Sequence, residues 1–245
     1  MPALISQDGI WFWDGSRWRS RMVEGPLDFF WFTSTADWGQ RILVTGLIAL
    51  IPIVGAINVL GWTLVATDMI RQRWKELPPA GFQYIERGVA PFVVQLVYGV
   101  IVLFVIIALF VGGLILIFSQ RSLTTLGAIL ILLAVLLLVA WWLISVFFLA
   151  AILIGSDRLG LGRAIDPAVL IRLARQNFHV SFQAGLIYGV AALALGLVTV
   201  IIGVIIPFGG LLVSIALPGV YAMTVPRLAE FEVHSPTPLP PSAVP

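Results

Sequence analysis

The chain contains no cysteine among its 245 residues. Disulfides, thiol nucleophiles and thiolate metal centres are thereby excluded. Charge is also scarce. Asp, Glu, Lys and Arg together make 11% of the residues, against about 25% in an ordinary soluble domain. The only two histidines, His179 and His234, lie outside every long apolar stretch, so no histidine pair is available at bilayer depth as a ligand. The formal charge of +2 comes from 14 basic and 12 acidic residues. That balance lacks the concentrated basic face that a nucleic-acid partner requires. A secretory signal is not expected either. The first 40 residues carry Asp8, Asp14, Glu24, Asp28 and Asp37 without a clean apolar core. The first apolar element should therefore act as an uncleaved insertion signal.

What the chain has in abundance is uncharged sequence. Four runs, 42–67, 92–118, 123–154 and 181–225, contain no Asp, Glu, Lys or Arg. A helix needs about 20 apolar residues to cross the hydrocarbon core, and the last run is long enough to cross twice. Soluble helices keep a polar face and barrel strands alternate, and these runs do neither. The expected fold is all-α: a polytopic helical membrane bundle of four full spans plus a broken first hydrophobic element, with a small N-terminal β-hairpin. Residues 1–36 form a cytoplasmic N-terminal segment with the hairpin at 10–19. Residues 37–230 form the transmembrane domain. Residues 231–245 form a Pro-rich tail, expected to be disordered, in which five prolines favour extended, solvated chain.

The first run is interrupted by Pro52, Gly55, Asn58 and Gly61. Pro52 removes a backbone donor and clashes with the preceding turn. Two arrangements fit: one kinked crossing, or a short hairpin turning around residues 52–57 and returning to the side it entered. Cytoplasmic flanks carry the excess of Lys and Arg. A hairpin places every basic residue except Arg121 on one side, whereas a single crossing divides them nine to five. The hairpin, with both termini cytoplasmic, is the favoured arrangement. In the last run, Pro207-Phe208-Gly209-Gly210 marks a turn between two spans, and Pro218 should kink the final helix.

Between the third and fourth runs, Asp166 and Pro167 supply the N-cap and first-turn signals of a helix. Leu170, Ile171, Ala174 and Phe178 would share one face, with Arg172, Arg175 and Gln176 opposite. That is the pattern of a helix lying in the membrane interface, its arginines toward anionic headgroups. It serves there either as a plain tether between two spans or as a specific lipid contact through Arg172 and Arg175. At the N-terminus, Asp14-Gly15 is a two-residue hairpin signal. It would set Trp13 opposite Ser16 and Trp11 opposite Trp18. Trp11, Trp13 and Trp18 are thus candidates for docking to a partner or to the membrane surface.

Charged groups in spans usually mark transport or catalysis, and the runs hold none. Asp68 is expected to pair locally with Arg71. Asn58 and Gln95 are candidate polar groups at midplane, Asn58 satisfying backbone groups freed by Pro52. Trp141-Trp142 with Phe147-Phe148 fit an ordinary lipid-facing or helix-facing surface better than a cofactor box. Gly112-Gly113 and Gly185, Gly189 and Gly196 allow close helix approach. No catalytic residue, metal site or cofactor is expected.

Residues 37–98 resemble the prokaryotic membrane family known as domain of unknown function 4013. The matching features are Trp38, Leu50-Ile51-Pro52 with Gly55, Gly61-Trp62, Arg71 and Arg73, Glu76-Leu77-Pro78, Phe82, Gly88 and Tyr98. The likeness continues loosely through 172–177 to Tyr221 and breaks at Pro79-Ala80-Gly81. It implies a multi-span fold in a bacterial inner membrane and supplies no catalytic residues. Trp11-Phe12-Trp13-Asp14-Gly15-Ser16-Arg17-Trp18 is similar to the Trp-Asp-Gly-x-x-Trp element of domain of unknown function 2510.

From sequence, the leading expectation is a non-enzymatic scaffold or accessory subunit that associates with lipids and other membrane proteins. The alternative is a transporter, channel or lipid-handling protein, suggested by the two broken elements. An enzyme would need a cluster such as Asp157, Asp166 and His179, and their spacing supports none.

Overall fold

The computed structural model describes residues 11–13, 18–20, 29–72, 74–119, 123–206 and 209–233. Two short strands, β1 (Trp11–Trp13) and β2 (Trp18–Ser20), pair antiparallel with Trp13 opposite Trp18 and Trp11 opposite Ser20. This register differs from the one expected of a two-residue Asp-Gly turn, which would set Trp11 opposite Trp18. Residues 14–17, and the side chains of Trp11, Trp13 and Trp18, lie outside the described residues. So does the tail from residue 234 onward.

The first apolar element folds as two helices, α1 (Trp38–Ala49) and α2 (Val54–Arg71). Both ends of this pair meet the same polar connection. At the start of α1, the Arg41 guanidinium donates to the Leu77 carbonyl, and the Leu77 amide donates to Thr35 Oγ1 just before the helix. Residue 77 lies only six residues beyond the end of α2. The element is therefore a helical hairpin, not one kinked crossing. Its turn is tight: the Val54 amide donates to the Pro52 carbonyl at 2.7 Å, with Ile53 between them at φ 65° and ψ −62°. This is the rare, strained γ-turn, centred on a β-branched residue that is 63% exposed.

Helices α3 (Ile85–Ser119) and α4 (Thr124–Leu159) form the longest feature, an antiparallel pair with 35 and 36 residues. At 1.5 Å per residue each is roughly 50 Å long, longer than the ~30 Å hydrocarbon core. Gly113 and Gly127 face each other across this pair; a Cβ on Gly113 would stand 2.7 Å from the Gly127 carbonyl oxygen. A single helical turn, α5 (Leu161–Ala164), leads into α6 (Pro167–Gln176). The cap expected for α6 is present, with the Asp166 carboxylate accepting from the Ala168 amide at 2.9 Å. Helix α7 (Phe178–Ile205) then runs antiparallel to α4. Its Gly185 backbone packs on the Val146 carbonyl.

The expected fourth span is not one continuous helix. It is divided into α8 (Gly209–Ser214) and α9 (Leu217–Ala229). Pro218, expected to kink a helix interior, sits in the first turn of α9 instead. A missing amide hydrogen is harmless there, because first-turn amides have no helical partner. Among the described residues, three helices, α3, α4 and α7, are long and apolar enough to cross a membrane. That is the architecture of an integral membrane protein.

Packing is concentrated at one end. Leu60 and Leu64 of α2, Val94 of α3, residues 149–154 of α4, Leu170 and Leu173 of α6, and Tyr221 and Leu228 of α9 share one core. A second core gathers Trp31, Phe32, Trp62, Leu77, Tyr84 and Val225. There the Trp31 indole donates to the Ala222 carbonyl at 2.7 Å. The other end is thin. Phe104 and Phe118 of α3 are 73% and 83% exposed, and most side chains of α3, α4 and α7 there are bare apolar surface.

Candidate functional site

Helices α2 and α3 cross in direct backbone contact. A Cβ on Gly88 would overlap the Ile57 carbonyl and stand 2.9 Å from the Gly61 nitrogen; one on Gly61 would overlap the Tyr84 carbonyl. This approach brings Arg87 over the end of α4. Its guanidinium donates to both Asp157 carboxylate oxygens at 2.7 Å and to Asp68 at 2.5 Å. Asp68 also accepts from Arg158 at 2.7 Å and from Arg71 at 3.3 Å. The local Asp68–Arg71 pair is thus one edge of a network joining α2, α3 and α4. Arg71 reaches further, donating to the carbonyls of Leu228, Ala229 and Phe231. These carbonyls lie at and just beyond the C-terminal end of α9, where a cation is favoured. Nearby, Asn177 clasps the Glu232 backbone through both its amide groups, at 2.8 and 3.0 Å.

Next to this charged end lies a cavity of about 400 Å³, within the usual range for small-molecule sites. One wall is a stripe of α4: Trp141, Ile144, Ser145, Phe148 and Ile152, spaced by three or four residues so that they share a face. Gln95, Tyr98 and Gly99 of α3 form a second side. Tyr188 of α7 and Tyr221 of α9 form a third, with their rings 5.1 Å apart and hydroxyls 3.5 Å apart. Pro167, Leu170 and Ile171 of α6 bound the cavity on a fourth side. The Tyr98 hydroxyl donates to the Ile165 carbonyl at 2.5 Å and ties α3 to the start of α6.

No protein-family model, curated protein or solved structure matches the chain.

The sequence candidates are distributed unevenly. Gln95 lines the cavity and Asn58 does not. Asn58 is fully buried, and its amide donates to the Gly81 carbonyl at 2.9 Å. It therefore serves the connection before α3 and not the backbone near Pro52. Arg172 and Arg175 are exposed on α6. The buried face of α6 is Leu170, Leu173 and Ala174, while Ile171 is exposed and Phe178 belongs to α7. The expected apolar face was rotated by about one residue. Trp141, Trp142 and Phe148 all border the cavity, a role that aromatic content alone could not indicate. Asp157, Asp166 and His179 are not brought together. Asp157 pairs with Arg87, Asp166 caps α6, and His179 contacts Gln183. Among the described residues no acidic or histidine cluster could hold a metal.

Chemically, the cavity offers a largely apolar body with a few hydroxyl and amide groups. Such a lining suits an amphiphile, which has an apolar chain to bury and few polar atoms to satisfy.

Proposed function

We propose that this is a non-enzymatic integral membrane protein that handles lipid, binding lipid-like molecules in the cavity bounded by α3, α4, α6, α7 and α9. The cavity carries the reading: about 400 Å³, walled by aromatic and aliphatic side chains, beside an interface helix. The one-sided charge network supports an orientation with the ends of α2, α4 and α9 in the cytoplasm. That agrees with basic residues favouring the cytoplasmic face, in a bacterial inner membrane with both termini inside. The α8–α9 pair is then the fourth crossing, broken as α1–α2 is broken. Resemblance to domain of unknown function 4013 fits this arrangement. A diazirine-bearing fatty acid, photolysed in membranes containing the protein, should label peptides of α4 and α7 that face the cavity. Labelling confined to the outer surfaces of α3 and α4 would count against the reading.

A second reading, a scaffold or accessory subunit, is favoured by the thin end of the bundle. There α3, α4 and α7 leave most of their large apolar side chains exposed, a surface that a partner helix could cover. A photo-crosslinking residue at position 104 should give one recurrent protein adduct if a partner helix packs there. Lipid adducts alone would remove this reading.

A further inference from the structure

The lipid-handling reading says that the cavity takes an apolar chain; the α6 helix says what kind of headgroup goes with it. Ile171 lines the cavity yet is itself exposed, so it stands at the rim. Arg175 lies one helical turn further along the same stripe, and residues four apart on a helix are neighbours. Arg172 is adjacent in sequence to Ile171 and exposed as well. Neither arginine forms a salt bridge among the described residues, whereas Arg71, Arg87 and Arg158 of the nearby network are all paired. The helix also presents its arginines beyond the buried face formed by Leu170, Leu173 and Ala174. A guanidinium binds phosphate oxygens in a planar, two-toothed fashion that an ammonium cannot match.

We infer that the cavity and the α6 arginines form one site for an anionic phospholipid, with an acyl chain against Trp141, Phe148 and Leu170 and the phosphate on Arg175 and Arg172. This rests on the lipid-handling reading and adds headgroup selectivity to it. A zwitterionic phospholipid carries the same phosphate, but its choline cation faces the same two arginines. An anionic headgroup such as phosphatidylglycerol adds no opposing cation, so charge complementarity favours it.

The test uses the full-length protein in nanodiscs, with acyl-chain photo-crosslinkable phosphatidylglycerol and phosphatidylcholine as probes at equal fraction. Cavity labelling by phosphatidylglycerol should exceed that by phosphatidylcholine at least fivefold. In R172Q/R175Q that preference should fall to within twofold, while a Gly99→Phe variant, which fills the cavity, should lose labelling by both. The wild-type cavity labelled equally by both lipids would overturn the headgroup assignment while leaving lipid handling intact. A cavity labelled by neither lipid would overturn both. Were Gly99→Phe to fold poorly, judged by its thermal midpoint, Ser145→Phe fills the same space from α4 and should give the same loss.

Discussion

Substituting Gly88 by alanine should be among the most damaging single-methyl changes in this chain. The Ile57 carbonyl occupies the place of the new Cβ, and the Gly61 nitrogen stands 2.9 Å from it. Both neighbours are backbone, so no side chain can turn away, and α2 and α3 must separate. Overpacking of this sort costs about 1–3 kcal/mol. The separation also drags Arg87, the preceding residue, away from Asp68 and Asp157. Hydrogen bonds to charged groups contribute about 1.5–3 kcal/mol each when well formed, so even partial loss is felt. Against these costs stands the better helix propensity of alanine, about 1 kcal/mol. The net expectation is a loss of about 3 kcal/mol. Gly112 provides the control on the same helix: nothing lies within 4 Å of its Cβ position, so Gly112→Ala should be neutral or stabilising by up to ~1 kcal/mol. Reversible unfolding in mixed micelles, titrated with sodium dodecyl sulfate, measures both. A Gly88→Ala variant within 0.5 kcal/mol of wild type would refute the close crossing, on the order of the error in such comparisons. So would a Gly112→Ala variant that is equally destabilised.

Three further expectations follow from the same geometry. Arg87→Met should cost about 2–3 kcal/mol, because it strands Asp157, whose side chain is only 11% exposed, without its main partner. The double variant Arg87→Met/Asp157→Leu should recover most of that loss, and a coupling energy near zero in the cycle would contradict the network. Ile53→Gly should stabilise by about 1 kcal/mol in the same unfolding assay, since strained backbone of this kind costs ~1–3 kcal/mol and glycine relieves it at some entropic cost; a loss of stability would contradict the γ-turn. The hydrogen bond from Arg41 holds the Asp37 carboxyl below the ordinary aspartate range. The ionised form is favoured by folding, so its contribution is present above that range and is lost as the pH falls through the lowered value. Asp37→Asn should flatten this part of the acid limb in a thermal-midpoint profile, and an unchanged limb would show the pair to be inert.

Much of this architecture is readable from residue order, for physical reasons that differ between elements. Helices α3, α4 and α7 are legible because bilayer thickness imposes a length no other environment requires. The α6 cap is legible because Asp followed by Pro satisfies a local hydrogen-bonding need. The α1–α2 turn is announced by Pro52 and Gly55, yet its pivot falls on Ile53, a residue type that disfavours positive φ. Propensity gives no hint of it; the close approach of Gly55 to the Ile48 carbonyl, where α1 meets α2, closes the turn around it. The ion-pair network escaped because Arg87 and Asp157 are 70 residues apart, and polar connections carry no periodicity to announce contacts. Gly88 entered only as part of a family likeness, though its lack of a side chain is what lets α2 approach. Gly112 and Gly196, read as packing glycines, touch nothing within 4 Å at their Cβ positions, while their counterparts Gly113 and Gly185 make the close contacts. Helical phase separates the two sets, and phase relative to a neighbour cannot be read from one helix.

The cavity is the part of the site least visible in the sequence. Its lining mixes residues from five helices, and each contributes a residue type common in any span. Only assembly reveals that Tyr188 and Tyr221 meet while Trp141 and Gln95 are held apart around open space.

The most direct test of lipid handling is native mass spectrometry of the protein released from membrane vesicles without detergent exchange. The wild type should retain a phospholipid at one copy per chain, and Gly99→Phe should emerge without it while keeping its fold. A wild type that emerges bare, or a Gly99→Phe variant that retains the same lipid at the same occupancy, would contradict the assignment of the cavity as a lipid site.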